Sequence, residues 1–173
     1  MKKIKILIPI YNDWQSVFEL LKKINSEVST LGAEFSVIIV NDASTEKKPE
    51  SSVDLNNLKS IQIINMKENR GHARCNAAGL KYIIEKEEFD YVIPMDGDGE
   101  DRPEELSLLI EKIKEYPDTV VTATRFKRSE GFIFKFCYLV HKYLTLVFTG
   151  QTIKYGNYTC LPKPTVHAMV NEP

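Results

Sequence analysis

Asp90-Tyr-Val-Ile-Pro-Met-Asp-Gly-Asp-Gly-Glu-Asp-Arg-Pro-Glu-Glu105 begins as a buried strand and ends as a helix start. Tyr91, Val92, Ile93 and Met95 form the short apolar run of a central parallel strand, and Gly97 and Gly99 break that run into a loop. Asp96, Asp98 and Glu100 occupy alternate positions, so an extended backbone projects them to one side, where they can share a hard cation through oxygen ligands. Pro103 suits the first turn of the following helix, and Glu104 and Glu105 suit its positive end. Asp101, Glu104 and Glu105 are therefore read as helix-start residues. That reading fails for Asp96 and Asp98, because two carboxylates one residue apart at a strand's carboxyl end repel each other unless solvent or a metal intervenes.

Outward from this stretch, strands alternate with helices. Ile4 to Ile10 is rich in branched apolar residues, with Pro9 marking its end. Asn12 or Asp13 can cap a helix whose apolar positions Val17, Leu20, Leu21, Ile24, Val28 and Leu31 keep the three-and-four spacing. Phe35 to Val40 is a second strand ending in the polar turn Asn41-Asp-Ala-Ser-Thr45, and Ile61 to Met66 is a third. Asn69-Arg-Gly-His-Ala-Arg-Cys-Asn76 opens a helix to about residue 88, a helix follows over Glu104 to Tyr116, and Thr119 to Thr124 supplies strand five. This alternation predicts an α/β domain with a mostly parallel sheet covered by helices on both faces. Ligands of such sheets sit beyond the carboxyl ends of the strands, which is where Asp42, Asn69 and Asp96 fall.

Composition narrows the choices. A chain of 173 residues fits one domain spanning 1–173, and a net charge of −1 gives a polyanionic partner such as nucleic acid no electrostatic support. Cys75, Cys137 and Cys160 have neither metal-ligand nor disulfide-framework spacing and are expected as reduced thiols. Met1-Lys-Lys-Ile-Lys5 runs straight into a strand pattern, with an apolar part too short for a signal peptide, so the expected location is cytoplasmic. Phe132 to Phe148 is apolar or aromatic except at Lys135, His141, Lys142 and Thr145, too short and too charged to span a bilayer. Residues 132–149 read equally as a core helix or as a helix in the membrane interface, which would put the protein at the cytoplasmic face of the membrane. The C-terminus, Met169-Val-Asn-Glu-Pro173, carries no stop pattern, and the chain reads as a truncated product.

Four segments, Pro9-Ile-Tyr-Asn-Asp13, Val40-Asn-Asp-Ala-Ser-Thr45, Asn69-Arg-Gly-His-Ala-Arg-Cys-Asn76 and Asp96-Gly-Asp-Gly-Glu-Asp101, come in the order and spacing of the family-two inverting glycosyltransferases with the GT-A fold. The acidic loop before Pro103-Glu-Glu105, then Ala123-Thr-Arg-Phe126 and a lysine-bearing hydrophobic helix, most resembles the polyprenyl-phosphate glycosyltransferases such as dolichyl-phosphate mannose synthase. The resemblance implies transfer of a sugar from a nucleotide-sugar donor, UDP-linked by preference with GDP as the second choice, to a lipid phosphate acceptor. Pro9, Tyr11 and Asp13 would border the base, with Asp13 standing where that subgroup more often has Glu. Asp42 would hydrogen-bond base or ribose, Arg70 and Arg74 would lie near the nucleotide pocket, and Asp96 would face the ribose or sugar. Asp98 and Glu100 would meet Mg2+ or Mn2+ on the diphosphate, Arg125 would answer phosphate charge, and Lys135 the lipid phosphate. Asp96, Asp98 and Arg125 are the implied catalytic group.

The chemistry agrees with that assignment, since a nucleoside diphosphate leaving group develops charge that needs a cation or arginines in place. Gly150 to Pro173 holds no Asp and only Glu172, and an ionised phosphate acceptor needs no strong base. Tyr155-Gly-Asn-Tyr158 departs from many of the polyprenyl-phosphate enzymes, which keeps a hydroxyl acceptor on a glycan, or donor binding without turnover, as alternatives. Plainer readings stand beside the functional ones: Tyr11 as a packed strand-end aromatic, Asp42 as an Asx turn with Ser44 or Thr45, Arg70 and Arg74 as a solvated face, and all three histidines outside the chemistry. A phosphatase built on Asp-x-Asp is disfavoured because its pair follows the first strand, and a dinucleotide dehydrogenase because no Gly-x-Gly-x-x-Gly follows that strand.

Overall fold

The computed structural model describes residues 1–49, 55–123, 143 and 158–171. Its elements in chain order are β1 (Lys3–Ile10), α1 (Trp14–Val28), β2 (Glu34–Asn41), β3 (Ser60–Asn65), α2 (His72–Lys86), β4 (Tyr91–Pro94), a 3-10 turn (Pro103–Glu105), α3 (Leu106–Glu115), β5 (Val121–Thr122), β6 (Thr159–Pro162) and α4 (Lys163–Asn171). They build one six-stranded sheet in the order β3-β2-β1-β4-β6-β5. β3, β2, β1 and β4 are mutually parallel, whereas β6 runs antiparallel to both β4 and β5.

The period-two alternation along β1 sorts the core into two layers. Ile4, Ile6, Ile8 and Ile10, with Val37, Ile39, Tyr91 and Ile93, face α1 and α3. Leu7, Ile38, Val40 and Val92 face the other way, onto α2 and Val166 of α4. Gly79 lets α2 approach closely, since a Cβ there would lie 2.3 Å from Leu7 Cδ1 and 3.0 Å from Val40 Cγ2. At the amino end of the sheet, Lys5 of β1 is buried and pairs with Glu87 at 2.6 Å. The other Glu87 oxygen accepts from the Gln62 amide, whose own oxygen accepts from the Tyr82 hydroxyl. This chain of hydrogen bonds satisfies the buried Lys5 ammonium.

Two features differ from the sequence reading. Strand five pairs only over Val121–Thr122 and lies at the edge, because β6 is inserted between it and β4. β6 and α4 had no counterpart in the sequence reading; Thr159-Cys-Leu-Pro162 is four residues long, which carries too little periodicity to read as a strand. The hydrophobic helix expected over 132–149 lies outside the described residues. Among the described residues no helix is long and apolar enough to cross a membrane.

Candidate nucleotide-sugar site

Parallel strands deliver their carboxyl ends to one edge, and register fixes how the loops meet there. Ile10 of β1 is level with Asn41 of β2, and Asn41 with Asn65 of β3. β4 stops lower, with Pro94 level with Leu7, so Asp96 and Gly97 run alongside Pro9 and Ile10. A Cβ on Gly97 would lie 3.2 Å from Ile10 Cγ2 and 3.3 Å from the Pro9 carbonyl oxygen, so a glycine is what lets this loop cross the tip of β1.

The first two loops are latched by Asn12, which sits at a φ of 53°, a conformation asparagine tolerates. Its side-chain oxygen accepts from the backbone amides of Thr45 (2.8 Å) and Glu46 (3.1 Å), and its backbone N–H donates to Ser44 Oγ at 2.9 Å. Asn41 Oδ1 accepts from the Ser44 amide, so the Asx-type turn considered for Asp42 is made by its neighbour. Asp42 reaches instead to the loop before α2: its two oxygens accept from the amides of Arg70 and Gly71, each at 2.8 Å. Burial pushes its carboxyl upward, but the Arg70 amide, the Cys75 thiol and the Gly71 amide together hold it below the usual carboxylate range. Burial of Cys75, and then the same contact with Asp42, push that thiol up to about 12, so it stays protonated and donating.

The acidic loop is not extended. Gly99 has a φ of 80°, and the turn it makes lets Asp98 accept from the Glu100 amide at 2.9 Å. The expectation of three carboxylates on one side is thereby altered: Asp96 and Asp98 line a common cavity, while Glu100 is exposed beyond it. Asp101, read from sequence as a helix-start residue, is buried and accepts from the Asp96 amide at 2.9 Å, which braces the turn from beneath.

The cavity holds ≈ 320 Å³ and is bordered by Pro9, Tyr11 and Asp13 from β1 and its loop, Asp42 from β2, His72 and Cys75 from α2, and Asp96, Gly97 and Asp98 after β4. Tyr11 stands half exposed at its mouth. Asp13 also caps α1, accepting from the Ser16 amide at 3.3 Å. Arg70 and Arg74 take another course: the Arg70 guanidinium pairs with Glu68, and Arg74 is exposed on the first turn of α2. Arg125 and Lys135 lie outside the described residues. His72, given no role by its sequence context, is here at the cavity wall with Nε2 3.3 Å from Asp96 Oδ1. Its position as first residue of the helix after Gly71, in the segment that also carries Arg70, was the available signal.

The donor set suits a cation shared with a ligand. Among the described residues no group of three or more His, Cys, Asp or Glu side chains is gathered that could hold a metal alone. Two carboxylates at a cavity wall are nonetheless the usual protein share of a magnesium-type site, where substrate phosphates and water supply the rest.

A mixed six-stranded sheet of this order, with helices on both faces and carboxylates collected at the carboxyl edge, is a GT-A-like fold. The model of glycosyl transferase family 2 matches residues 5–162, and the chain belongs to that family. Among solved structures it is similar to S. aureus TarS 1-349 in complex with UDP-GlcNAc, at 23% identity and a TM-score of 0.56 over 76% of this chain and 36% of that one. It is also similar to the mannosyltransferase PcManGT from Pyrobaculum calidifontis in complex with GDP-Man and Mn2+, at 15% identity and a TM-score of 0.59 over 98% of this chain and 47% of that one. The chain thus spans less than half the length of either.

Proposed function

We propose that this chain is the donor-binding and catalytic part of an inverting, metal-dependent glycosyltransferase that moves a sugar from a nucleoside-diphosphate sugar to a polyprenyl phosphate. The observation that carries the reading is the meeting of all four motif segments at one cavity, with Tyr11, Asp42, Asp96 and Asp98 around it. Tyr11 offers the base an aromatic face, and Asp13 and Asp42 offer it polar edges. Asp96 takes the ribose or sugar side. Asp98, with Glu100 from the exposed far side of the same turn, would hold Mg2+ or Mn2+ for the diphosphate. A cation bound there neutralises the charge that develops on the leaving diphosphate. Arg125 would supply further positive charge to the phosphates, and Arg70 and Arg74 would lie near the nucleotide pocket without lining the cavity.

In the proposed step an acceptor phosphate oxygen attacks the anomeric carbon as the bond from that carbon to the diphosphate oxygen breaks, with inversion and release of the nucleoside diphosphate. An ionised phosphate has no proton to lose, so the step needs no general base from the chain. The hydrophobic segment 132–149, with Lys135, would meet the lipid phosphate at the cytoplasmic membrane face. The neighbour solved with UDP-GlcNAc supports a UDP-sugar, and the one solved with GDP-Man and Mn2+ supports both the metal and a GDP-sugar as second choice.

The test is a thermal-shift screen of UDP-, GDP- and dTDP-sugars with Mn2+, followed by transfer of the best-bound sugar to a short polyprenyl phosphate. A donor that raises the melting temperature and yields polyprenyl-phosphate sugar supports the reading. Absence of stabilisation by every donor, or transfer unaffected by Asp98→Ala, overturns it.

A further inference from the structure

A second cavity lies across the Asp98 turn from the first, where α1 packs against the 3-10 turn. It holds ≈ 280 Å³, and Asp13 and Asp98 border both cavities, so the two meet at that pair. Its floor is apolar, made by the buried Leu20 of α1 and the buried Pro103. Its rim is polar and mixed. Gln15 and Lys23 are exposed there and bring N–H donors, each without a hydrogen bond or ion pair among the described residues, while Glu19 joins the two aspartates as an acceptor. One oxygen of each carboxylate is engaged: Asp13 accepts from the Ser16 amide, Glu19 from Lys22 at 2.6 Å and Asp98 from the Glu100 amide. The second oxygen of each remains as an acceptor.

We propose that the second cavity is a carbohydrate subsite taking one pyranose ring, with Gln15 and Lys23 as its specificity-determining donors. This rests on the donor-site reading given above. With the diphosphate tied at Asp98 and the base and ribose in the first cavity, the sugar on the far phosphate continues past Asp98, where the second cavity opens. Charge then selects the class of ligand. Three carboxylates against one ammonium repel an anion such as a phosphate, and among the described residues no three His, Cys, Asp or Glu side chains gather that could hold a metal alone. A neutral polyol answers both halves of the rim, since each hydroxyl accepts one hydrogen bond and donates another, while the C–H face of the ring covers Leu20 and Pro103. The volume lies just under the range of about 300–1,000 Å³ common to ligand pockets, so it admits one ring rather than a second nucleotide. A glycan acceptor is the other source of such a ring, and the experiment separates the two.

Titration calorimetry of the full chain in Mn2+ buffer compares UDP with UDP-GlcNAc and UDP-glucose, and GDP with GDP-mannose. The proteins are the parent, Gln15→Ala, Lys23→Ala and the double variant, with Lys81→Ala, on the exposed face of α2, as the control for loss of charge alone. In a second arm chitotriose and mannotriose are titrated into each protein saturated with UDP or GDP. The parent is expected to bind one sugar nucleotide about tenfold more tightly than its bare nucleotide, the worth of a hydrogen bond to a charged group. Lys23→Ala and the double variant erase most of that increment and leave bare nucleotide binding unchanged, whereas Lys81→Ala keeps it. An increment that survives in the variants while their trisaccharide affinity falls supports the subsite and assigns its ring to the acceptor. Parent and double variant alike in both arms overturn the subsite while leaving the donor site intact. If neither bare nucleotide binds the parent, the donor-site reading falls and the subsite with it. Melting curves without ligand verify that each variant is folded.

Discussion

Removing the Asp42 carboxylate is expected to loosen both the fold and the site, and its size can be worked from three donors. Asp42 is 4% exposed, and its oxygens serve the Arg70 amide, the Gly71 amide and the Cys75 thiol. Asp42→Ala leaves those donors facing a void; with about 1–3 kcal/mol for each buried group left unpaired, discounted because the loop before α2 is partly solvated, the loss is about 3 kcal/mol. In a domain of this size that lowers the melting temperature by about 6–12 °C. Asp42→Asn keeps one acceptor but turns an NH2 toward a second donor, so it recovers less than half of the loss. Urea unfolding followed by fluorescence reports this directly, because the single tryptophan, Trp14, donates to the Glu46 carbonyl in the adjoining loop.

The pH dependence of that loss has a defined sign. Burial raises the Asp42 carboxyl, but its hydrogen bonds outweigh burial, so its folded pKa lies below the unfolded one. The stabilisation is present above the unfolded carboxylate pKa and disappears as pH falls through the folded value. The gap between parent and Asp42→Ala should therefore narrow on acidification below about pH 4. An Asp42→Asn variant as stable as the parent, or a gap that does not change with pH, would refute the argument that the ionised carboxylate staples β2 to α2.

Lys5→Met strands the Glu87 carboxylate inside the protein and should cost about 3 kcal/mol in chemical denaturation, whereas Lys5→Met with Glu87→Gln costs less than the sum of the two. Glu87 is raised by burial but held lower overall by Lys5 and Gln62, so this contribution too is lost as pH falls through its folded value. Gly79→Ala places a methyl group into Leu7 and Val40; crowding of about 1–3 kcal/mol exceeds the helix-propensity gain of about 1 kcal/mol, and the variant should melt below the parent. Asp98→Ala should weaken Mn2+-dependent UDP binding by at least about tenfold while leaving the melting temperature of the free protein within about 2 °C, since Asp98 is exposed. Liposome flotation with anionic vesicles tests the hydrophobic segment: recovery in the floated fraction is expected, and a protein left wholly at the bottom removes the membrane part of the proposal.

The sheet was legible in the sequence wherever branched apolar runs ended in polar turns. Ile4 to Ile10 and Phe35 to Val40 appear as β1 and β2, and the carboxyl-edge rule then gathered Asp42 and Asp96 on one rim. What sequence spacing could not carry was the local turn geometry. Alternation along Asp96, Asp98 and Glu100 predicts one common side only in an extended chain, and the left-handed Gly99 curls the loop, so Glu100 leaves the cavity wall and Asp101 tucks beneath it. Partners separated by dozens of residues were equally invisible, since nothing in Asn69 to Asn76 announces that two of its amides and Cys75 converge on Asp42. A lone histidine such as His72 carries no pattern in the sequence, and only the approach of α2 to β4 sets it against Asp96.

The account depends on one arrangement: a nucleoside diphosphate at the carboxyl ends of β1, β2 and β4, tied to the Asp98 turn by a divalent cation. Crystals of the chain with UDP or GDP and Mn2+, measured at the manganese absorption edge, locate that cation by its anomalous signal. The account predicts a single strong peak within coordinating distance of both the Asp98 carboxylate and the diphosphate, with the base beside Tyr11 and Asp42. A nucleotide bound elsewhere, or a manganese peak remote from Asp98, contradicts it.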